Sequence, residues 1–299
     1  MEEELVMRGK RIPITNPEQI IWPDLGITKL DYLIYLAEVA PYLISHSKDR
    51  LLMMWVYPHG IAGKRIEKRS LPARAPLWVP SSFYKEKQRI LLNDTSTLIW
   101  AAEYGTVEFH VPFDSVRKEN YPLELVFDLD PPDDESFGLV LEVACELKRV
   151  LESLGLQAVP RTSGSTGLQI FVPIAPIYTF EQTRTINTFI ANYFLEKMPD
   201  KITLERVVAK RGKKLYFDYL QLWKGRTMPA VYSARAKPKA TVAAPVTWEE
   251  VQTGFMPTDF TILNIKQRIS DKGDLFSAIT LEKENQSLDE ILSFIQKAL

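Results

Sequence analysis

Cysteine is almost absent from this sequence of 299 residues, which contains only Cys145. A single thiol excludes an intrachain disulfide and any zinc site with several cysteine ligands. Long apolar runs are also lacking, and none reaches the roughly 20 residues that span a bilayer. The first eleven residues, MEEELVMRGKR, contain no apolar core of the kind found in a signal peptide. We therefore expect a cytoplasmic protein with no membrane partner.

Excess charge of either sign is missing too, because 37 Lys and Arg nearly balance 38 Asp and Glu. A net charge of −1 argues against a histone-like protein that binds nucleic acid by bulk charge. The charge is instead local: segments 64–74, 206–214 and 224–239 are basic, and 128–135 is acidic. An acidic focus among basic segments suits a metal site bordered by phosphate contacts, although solvated loops would produce the same pattern.

Internal repeats and low-complexity linkers are absent, and the length suits one large domain or two modest ones. Hydrophobic spacing predicts helices over 28–47, 95–103 and 137–154, a helix along Ile186, Ile190 and Phe194, and mainly helix in 248–299. It predicts strands over 51–57, 107–112, 123–130, 202–208, 214–221 and 230–236, and a hairpin over 157–174. This mixture favours an α+β fold with one central sheet region, with a boundary near 115–122.

Two aspartates follow the apolar strand in LELVFDLDPP. Because strand side chains alternate between faces, Asp128 and Asp130 project to the same side and repel each other unless a cation lies between them. A third acid, Asp218, stands between apolar neighbours in KLYFDYLQ. Three carboxylates on two strands provide the hard oxygen ligands that Mg²⁺ or Mn²⁺ needs in two-metal phosphoryl transfer.

An Asp-x-Asp pair alone is weak evidence, since most such pairs are surface turns. Phosphatases of the haloacid dehalogenase type also have an apolar strand and Asp-x-Asp, but usually place Thr or Val where this chain has Pro132. Glycosyltransferases that use sugar nucleotides share the pair, but no other feature here favours them.

A glycine-rich turn lies in RTSGSTGLQIFVP. Its small residues would let backbone N–H groups approach phosphate oxygens, and Ser163 and Thr166 add hydroxyl groups. By itself the turn is more typical of a plain hairpin.

Three segments together resemble the three signature regions of the polymerase/primase domain of bacterial DNA ligase D. These segments are VFDLDPP, TSGSTGLQIFVPI and YFDYLQLWKGRTMPAVYSARAKPKATVAAPVTW. The resemblance extends upstream through ITNPEQIIWP and NDTSTLIWAAEYGTVEFHVP and covers nearly the whole chain. It implies an archaeo-eukaryotic primase-like catalytic core with a central, mainly antiparallel sheet flanked by helices. It also implies a single polymerase/primase domain, with a part of about 1–115 that binds DNA ends and a catalytic core of about 116–299.

The resemblance further implies site residues. Asp128, Asp130 and Asp218 match the metal-binding catalytic acids, with two Mn²⁺ or Mg²⁺ ions as cofactors. The residues implied for nucleotide binding are His110, Ser163, Gly164, Thr166, Gly167, Gln169, Arg226, Arg235 and Lys237. Those implied for the 5′-phosphate of a downstream DNA strand are Asn16, Lys29 and Lys68.

Several positions depart from the family pattern. Thr166 replaces a lysine and Gln169 replaces a histidine in the turn, which removes two potential cations near the triphosphate. Gln19 stands where a lysine is often found in the 5′-phosphate pocket. Arg65 and Ile66 occupy the place of an aromatic pair that stacks on DNA in some members of the family. These changes affect the predicted nucleotide and DNA-end contacts and leave the three metal-binding acids in place.

The implied function is filling of gaps and extension of 3′ ends at DNA breaks in non-homologous end joining, with a preference for ribonucleotides. The implied partners are DNA ends, gapped duplexes with a 5′-phosphate, nucleoside triphosphates, Ku and a DNA ligase, at the nucleoid. The ligase signature Lys-x-Asp-Gly-x-Arg is absent, so any ligase would be a separate chain or domain. Two alternatives stay open, a primase that starts chains de novo and a non-catalytic module that binds or bridges DNA ends.

Overall fold

The computed structural model describes residues 3–283 and 286–298. The strands are β1 (Glu3–Met7), β2 (Lys10–Ile14), β3 (Ile20–Trp22), β4 (Ile27–Thr28), β5 (Met53–Val56), β6 (Ile66–Lys68), β7 (Ser81–Tyr84), β8 (Lys87–Ile90), β9 (Thr106–Pro112), β10 (Glu124–Asp130), β11 (Val159–Thr162), β12 (Leu168–Pro173), β13 (Ile202–Thr203), β14 (Leu215–Asp218) and β15 (Thr227–Pro229). The α-helices are α1 (Lys29–Ser47), α2 (Thr95–Glu103), α3 (Phe137–Ser153), α4 (Phe180–Lys197), α5 (Trp248–Thr253), α6 (Ile265–Lys272), α7 (Ser277–Leu281) and α8 (Asp289–Ala298).

The chain forms two compact units. Unit 1 comprises Met1–Pro112, Thr227–Ala244 and Phe260–Asp274, and unit 2 comprises Phe113–Arg226, Pro245–Asp259 and Leu275–Leu299. Two segments from the C-terminal half therefore belong to unit 1. The functional division at about residue 115 remains a prediction.

Unit 2 is built on a five-stranded sheet in the order β11-β12-β10-β14-β13. Its pairs are antiparallel except for the parallel pair of β13 and β14. The central strand β10 contains a run of fully buried apolar residues from Leu125 to Phe127, which explains why it occupies the middle of the sheet. Helix α3 contacts β10 and β12, and α4 contacts β10 and β13, so helices flank this sheet.

Unit 1 contains a four-stranded antiparallel sheet in the order β15-β9-β5-β6. Helix α1 begins with a capping box, in which Thr28 and Asp31 each accept a hydrogen bond from the other's backbone N–H. Helix α2 is capped by Asp94, whose carboxylate accepts from the backbone of Thr97.

The predicted α+β class with mainly antiparallel sheets and flanking helices is confirmed, although the strands form two larger sheets, one in each unit. Helices α1, α2 and α3 agree closely with the helices predicted over 28–47, 95–103 and 137–154. The β11–β12 pair agrees closely with the hairpin predicted over 157–174. The helical prediction for 248–299 is confirmed by α5 to α8, and its residues 284, 285 and 299 lie outside the described part. Within the part described, no helix combines the length and apolar character needed to cross a membrane.

Three predicted strands are wrong in extent or position. The strand predicted over 202–208 is only β13, and the one over 214–221 ends at Asp218, where the backbone of Leu220 donates to the Asp218 carboxylate and forms a turn. The strand predicted over 230–236 is absent because Tyr232 has φ 63°, a left-handed conformation that no β-strand accommodates.

Candidate metal and nucleotide site

The strand pairing in unit 2 brings the three predicted acids together. Asp128 on β10 lies directly opposite Asp218 on β14, and Asp130 lies opposite Tyr216. Paired residues project to the same face, and Asp128 and Asp130 share that face because they are two residues apart. One oxygen from each of the three carboxylates lies within 4.8 Å of the others. The structure therefore contains a cluster of three acids at the end of the central strand.

The electrostatics of this cluster are unfavourable without a cation. Burial, followed by repulsion from Asp130 and Asp218, raises the pKa of Asp128 well above its ordinary value. A hydrogen bond from Gln169 and the charge of Arg161 act in the opposite direction. Burial and the charge of Asp218 raise the pKa of Asp130 to about 6, and the charge of Arg211 opposes them.

The residues present fit a divalent ion. Among the described residues, Oδ1 of Asp128 is buried with no hydrogen-bond partner, and a carboxylate oxygen in that state needs a cation or a donor. Asp218 has a different environment, because its Oδ1 accepts from the Tyr216 hydroxyl at 3.1 Å and from the backbone of Leu220 at 2.9 Å. These bonds hold the Asp218 carboxylate toward the other two acids.

Gly167 permits the close approach of the glycine turn to the acids. A Cβ atom at this position would lie 2.6 Å from the carbonyl oxygen of Leu129 and 3.0 Å from Oδ1 of Asp130. Any side chain at 167 would therefore displace β10 or the Asp130 carboxylate.

The glycine turn is held by its own hydroxyl groups. The Ser163 hydroxyl oxygen accepts from the backbones of Ser165 and Gly167, both at 3.1 Å, and Thr162 accepts from Gly164 at 2.8 Å. Gly164 has φ 67°, in the left-handed region that favours glycine. These N–H groups are directed into the turn, so hydroxyl groups are the better candidates for contacts with a phosphate.

The remaining predicted nucleotide residues lie in both units. In unit 2, Arg226 is exposed. In unit 1, His110 on β9 is buried with its ring 4.6 Å from the Trp55 ring, and its Nε2 lies 3.2 Å from Glu108. Glu108 also accepts from Arg235 at 2.7 Å, while Lys237 is exposed. Although burial of Glu108 alone would raise its pKa, His110 and Arg235 lower it, so Glu108 is an ionised anchor for both residues.

Comparison with known proteins agrees with this geometry. Residues 28–276 match the model of the family described as LigD, primase-polymerase domain. The chain belongs to the LigD primase-polymerase family. Family membership makes it a polymerase-type nucleotidyltransferase.

Curated LigD relatives align along nearly the whole chain. The bifunctional non-homologous end joining protein LigD of Bacillus subtilis is 36% identical over 288 residues, which is 96% of this chain and 47% of the relative. The multifunctional LigD of Mycolicibacterium smegmatis is 27% identical over 279 residues, or 91% of this chain and 36% of the relative. The chain thus spans about half the length, or less, of the curated relatives it matches.

A solved structure of the same family is also similar. The polymerase domain from Mycobacterium tuberculosis ligase D in complex with DNA superimposes with a TM-score of 0.85 at 26% identity. The match covers 91% of this chain and 99% of that one. The fold of this LigD-type chain is therefore that of the LigD polymerase domain.

Two of the three residues predicted for the 5′-phosphate of DNA line one cavity in unit 1 of this LigD-type domain. The cavity has a volume of about 210 Å³ and is lined by Asn16 and Lys29, among others, and also by Glu103. Lys29 donates to the carbonyl of Thr15 at 2.6 Å and lies 3.3 Å from Glu103, with both side chains buried. Lys68 is on β6. The ammonium group of Lys29 is thus already paired with a carboxylate.

Sequence reasoning missed several residues around these sites. Glu103, Glu108 and Arg161 all touch predicted functional residues. Glu108 stands two residues before His110 on a strand, so its shared face could have been read from the sequence. Arg161 contacts Gln169 across the predicted hairpin, whereas the contact of Glu103 with Lys29 joins residues that only the tertiary fold brings together.

Proposed function

We propose that this chain is a metal-dependent polymerase that fills gaps and extends 3′ ends at DNA breaks in non-homologous end joining. The proposal includes a preference for ribonucleoside triphosphates and the use of two Mn²⁺ or Mg²⁺ ions. The observation that carries it is the cluster of Asp128, Asp130 and Asp218, whose mutual repulsion and unpartnered buried oxygen favour binding of a cation.

The three acids would hold the ions. When bound, the ions would activate the primer 3′-hydroxyl and stabilise charge on the transferring phosphate. In the reaction the 3′-oxygen forms a bond with the α-phosphorus, and the bond from that phosphorus to pyrophosphate breaks. Tyr216 and the backbone of Leu220 keep the Asp218 carboxylate in place through their hydrogen bonds.

Several groups of this chain would bind the nucleotide. The proposal assigns triphosphate contacts to Ser163, Thr166, Arg226, Arg235 and Lys237, with His110 near the incoming nucleotide. Because Glu108 binds both His110 and Arg235, it orients the two side chains and leaves less of the Arg235 charge for the substrate.

DNA ends and gapped duplexes with a 5′-phosphate are the proposed partners, with Asn16, Lys29 and Lys68 at the phosphate and Ku and a DNA ligase in the same pathway. The exposed basic residues of 206–214 supply further positive charge for the DNA backbone. A location at the nucleoid would follow from these partners.

Primer extension on gapped duplex tests the function. We expect addition of one or a few nucleotides, more with ribonucleotides and more with Mn²⁺ than with Mg²⁺. Asp128→Ala and Asp130→Ala should abolish addition while DNA affinity, measured by fluorescence anisotropy, is retained. Asp200→Ala is the matched control, since Asp200 is an exposed acid in the same unit.

Each alternative gives a different result. Chain synthesis on unprimed template would favour the primase. DNA binding without any extension by the wild-type protein would favour the end-bridging module. Equal loss of DNA binding and activity in a folded Asp128→Ala variant would show that the acids have a structural role instead.

A further inference from the structure

A line of four polar side chains crosses the sheet of unit 2. Arg161 on β11 is opposite Gln169 on β12, Gln169 is opposite Asp128 on β10, and Asp128 is opposite Asp218 on β14. Residues paired across strands project to one face, so these side chains form a row. The row begins with a cation and ends at two of the clustered acids.

Arg161 is fixed in place by its surroundings. Its side chain is almost completely buried, with Cζ 4.4 Å from the ring centroid of Phe171 and 5.6 Å from that of Phe276. The two rings pack edge to face with centroids 5.1 Å apart. The faces of aromatic rings attract a cation, and the planar guanidinium stacks on them without losing its hydrogen bonds.

The guanidinium determines which end of the Gln169 amide faces it. Nε and Nη2 of Arg161 donate to Oε1 of Gln169 at 3.2 and 2.6 Å. Because a guanidinium has donors and no acceptor, only the oxygen of the amide can face Arg161. The amide nitrogen, which is a donor, is therefore the end available to Asp128, which lies directly opposite Gln169 on the neighbouring strand.

We propose that Arg161 is a positioning residue for the metal site, which acts through Gln169 by locking the amide so that it donates to Asp128. The bond holds one side of the Asp128 carboxylate and leaves its unpartnered Oδ1 for an ion. If the amide turned over, its oxygen would face the carboxylate and repel it. This inference rests on the proposed metal-dependent function.

A double-mutant cycle on Mn²⁺ affinity tests the inference in the absence of nucleotide and DNA. Free Mn²⁺ is measured by electron paramagnetic resonance during titration of the whole chain. Arg161→Met and Gln169→Met should each weaken Mn²⁺ binding about tenfold, a loss typical for residues that orient a metal ligand. The double variant should be no weaker than either single variant, because both changes remove the same interaction. Arg161→Lys, which keeps the charge but loses the fork of donors, should lie between wild type and Arg161→Met.

Lys148→Met is the matched control, because it removes a cation that lies 5.7 Å from the Trp248 ring in the same unit and should leave Mn²⁺ affinity unchanged. Additive losses in the double variant would show that Arg161 does not act through Gln169 and would overturn the proposal. Unchanged affinity in Gln169→Met would overturn it as well, even if Arg161→Met did not fold. Mn²⁺ binding that Asp128→Ala fails to reduce would instead refute the proposed metal site, and this inference would fail with it.

Discussion

Replacing Asp130 by asparagine is expected to stabilise the metal-free protein at neutral pH. Burial and the charge of Asp218 raise the pKa of Asp130 from 3.8 to about 6. A carboxyl group with a raised pKa in the folded state binds its proton more tightly when folded than when unfolded. Its contribution to stability is therefore fully present below pH 3.8, falls as the pH rises, and is lost above pH 6.

The size of the effect follows from the shift. A change from 3.8 to about 6 is about 2 pKa units, and each unit corresponds to about 1.4 kcal/mol, so the ionised group costs at most about 3 kcal/mol. If relaxation and solvent removed half of this, Asp130→Asn would gain about 1–2 kcal/mol at pH 7.5. At about 2–4 °C per kcal/mol, we expect the Tm to rise by several degrees.

Thermal unfolding in the presence of EDTA at pH 7.5 and pH 5 measures this gain. The difference between variant and wild type should be smaller at pH 5, where Asp130 is largely protonated in the folded state. Because the ion binds only the folded site, adding Mn²⁺ should raise the Tm. The increase should be larger for wild type than for the variant, which lacks the Asp130 carboxylate as a ligand. Asp200→Asn, at an exposed acid, is the control. A variant less stable than wild type in EDTA at pH 7.5, or a difference independent of pH, would refute the reasoning.

Three further predictions concern other positions. Gly167→Ala should weaken Mn²⁺ binding at least tenfold, measured by paramagnetic resonance, because the new Cβ would displace Asp130. Glu103→Gln should raise the preference for 5′-phosphorylated over 5′-hydroxyl gapped DNA by about three- to tenfold in anisotropy titrations, because Lys29 would lose its carboxylate partner. Thr166→Lys should lower the KM for the incoming nucleotide severalfold in steady-state extension, with DNA affinity unchanged, because it adds a charge-assisted contact to the triphosphate.

Specific results would contradict these predictions. Unchanged Mn²⁺ affinity in Gly167→Ala would mean that the backbone moves without displacing the acids. The control for this variant is Gly138→Ala, because a Cβ added at Gly138 meets no atom within 4 Å. An unchanged phosphate preference in Glu103→Gln would show that Lys29 does not bind the 5′-phosphate. A KM that stays constant or rises in Thr166→Lys would show that position 166 does not face the triphosphate.

Local pattern was sufficient to predict the α-helices, the five strands of the unit 2 sheet, and β5 and β9. It predicted no strand at β1 to β4, β6 to β8 or β15. The capping residues Thr28 and Asp31 and the apolar spacing of α1 and α3 are properties of neighbouring residues, so the sequence shows them directly. The same holds for Asp128 and Asp130, whose spacing on one strand places them on one face. Pattern failed at 230–236, where Tyr232 adopts a left-handed conformation that its residue type does not suggest.

The sequence by itself therefore determined the α+β class, the acidic pair at the end of β10 and, through motif resemblance, the family. Only the tertiary structure showed how the residues of each site come together. Strand pairing placed Asp218 opposite Asp128 and put Arg161 and Gln169 in the same row, across up to 90 residues of chain. Packing of α1 against α2 paired Lys29 with Glu103, which no local spacing predicts. The physical reason is that register between strands and packing between helices depend on the whole core, whereas side-chain alternation depends only on neighbouring residues.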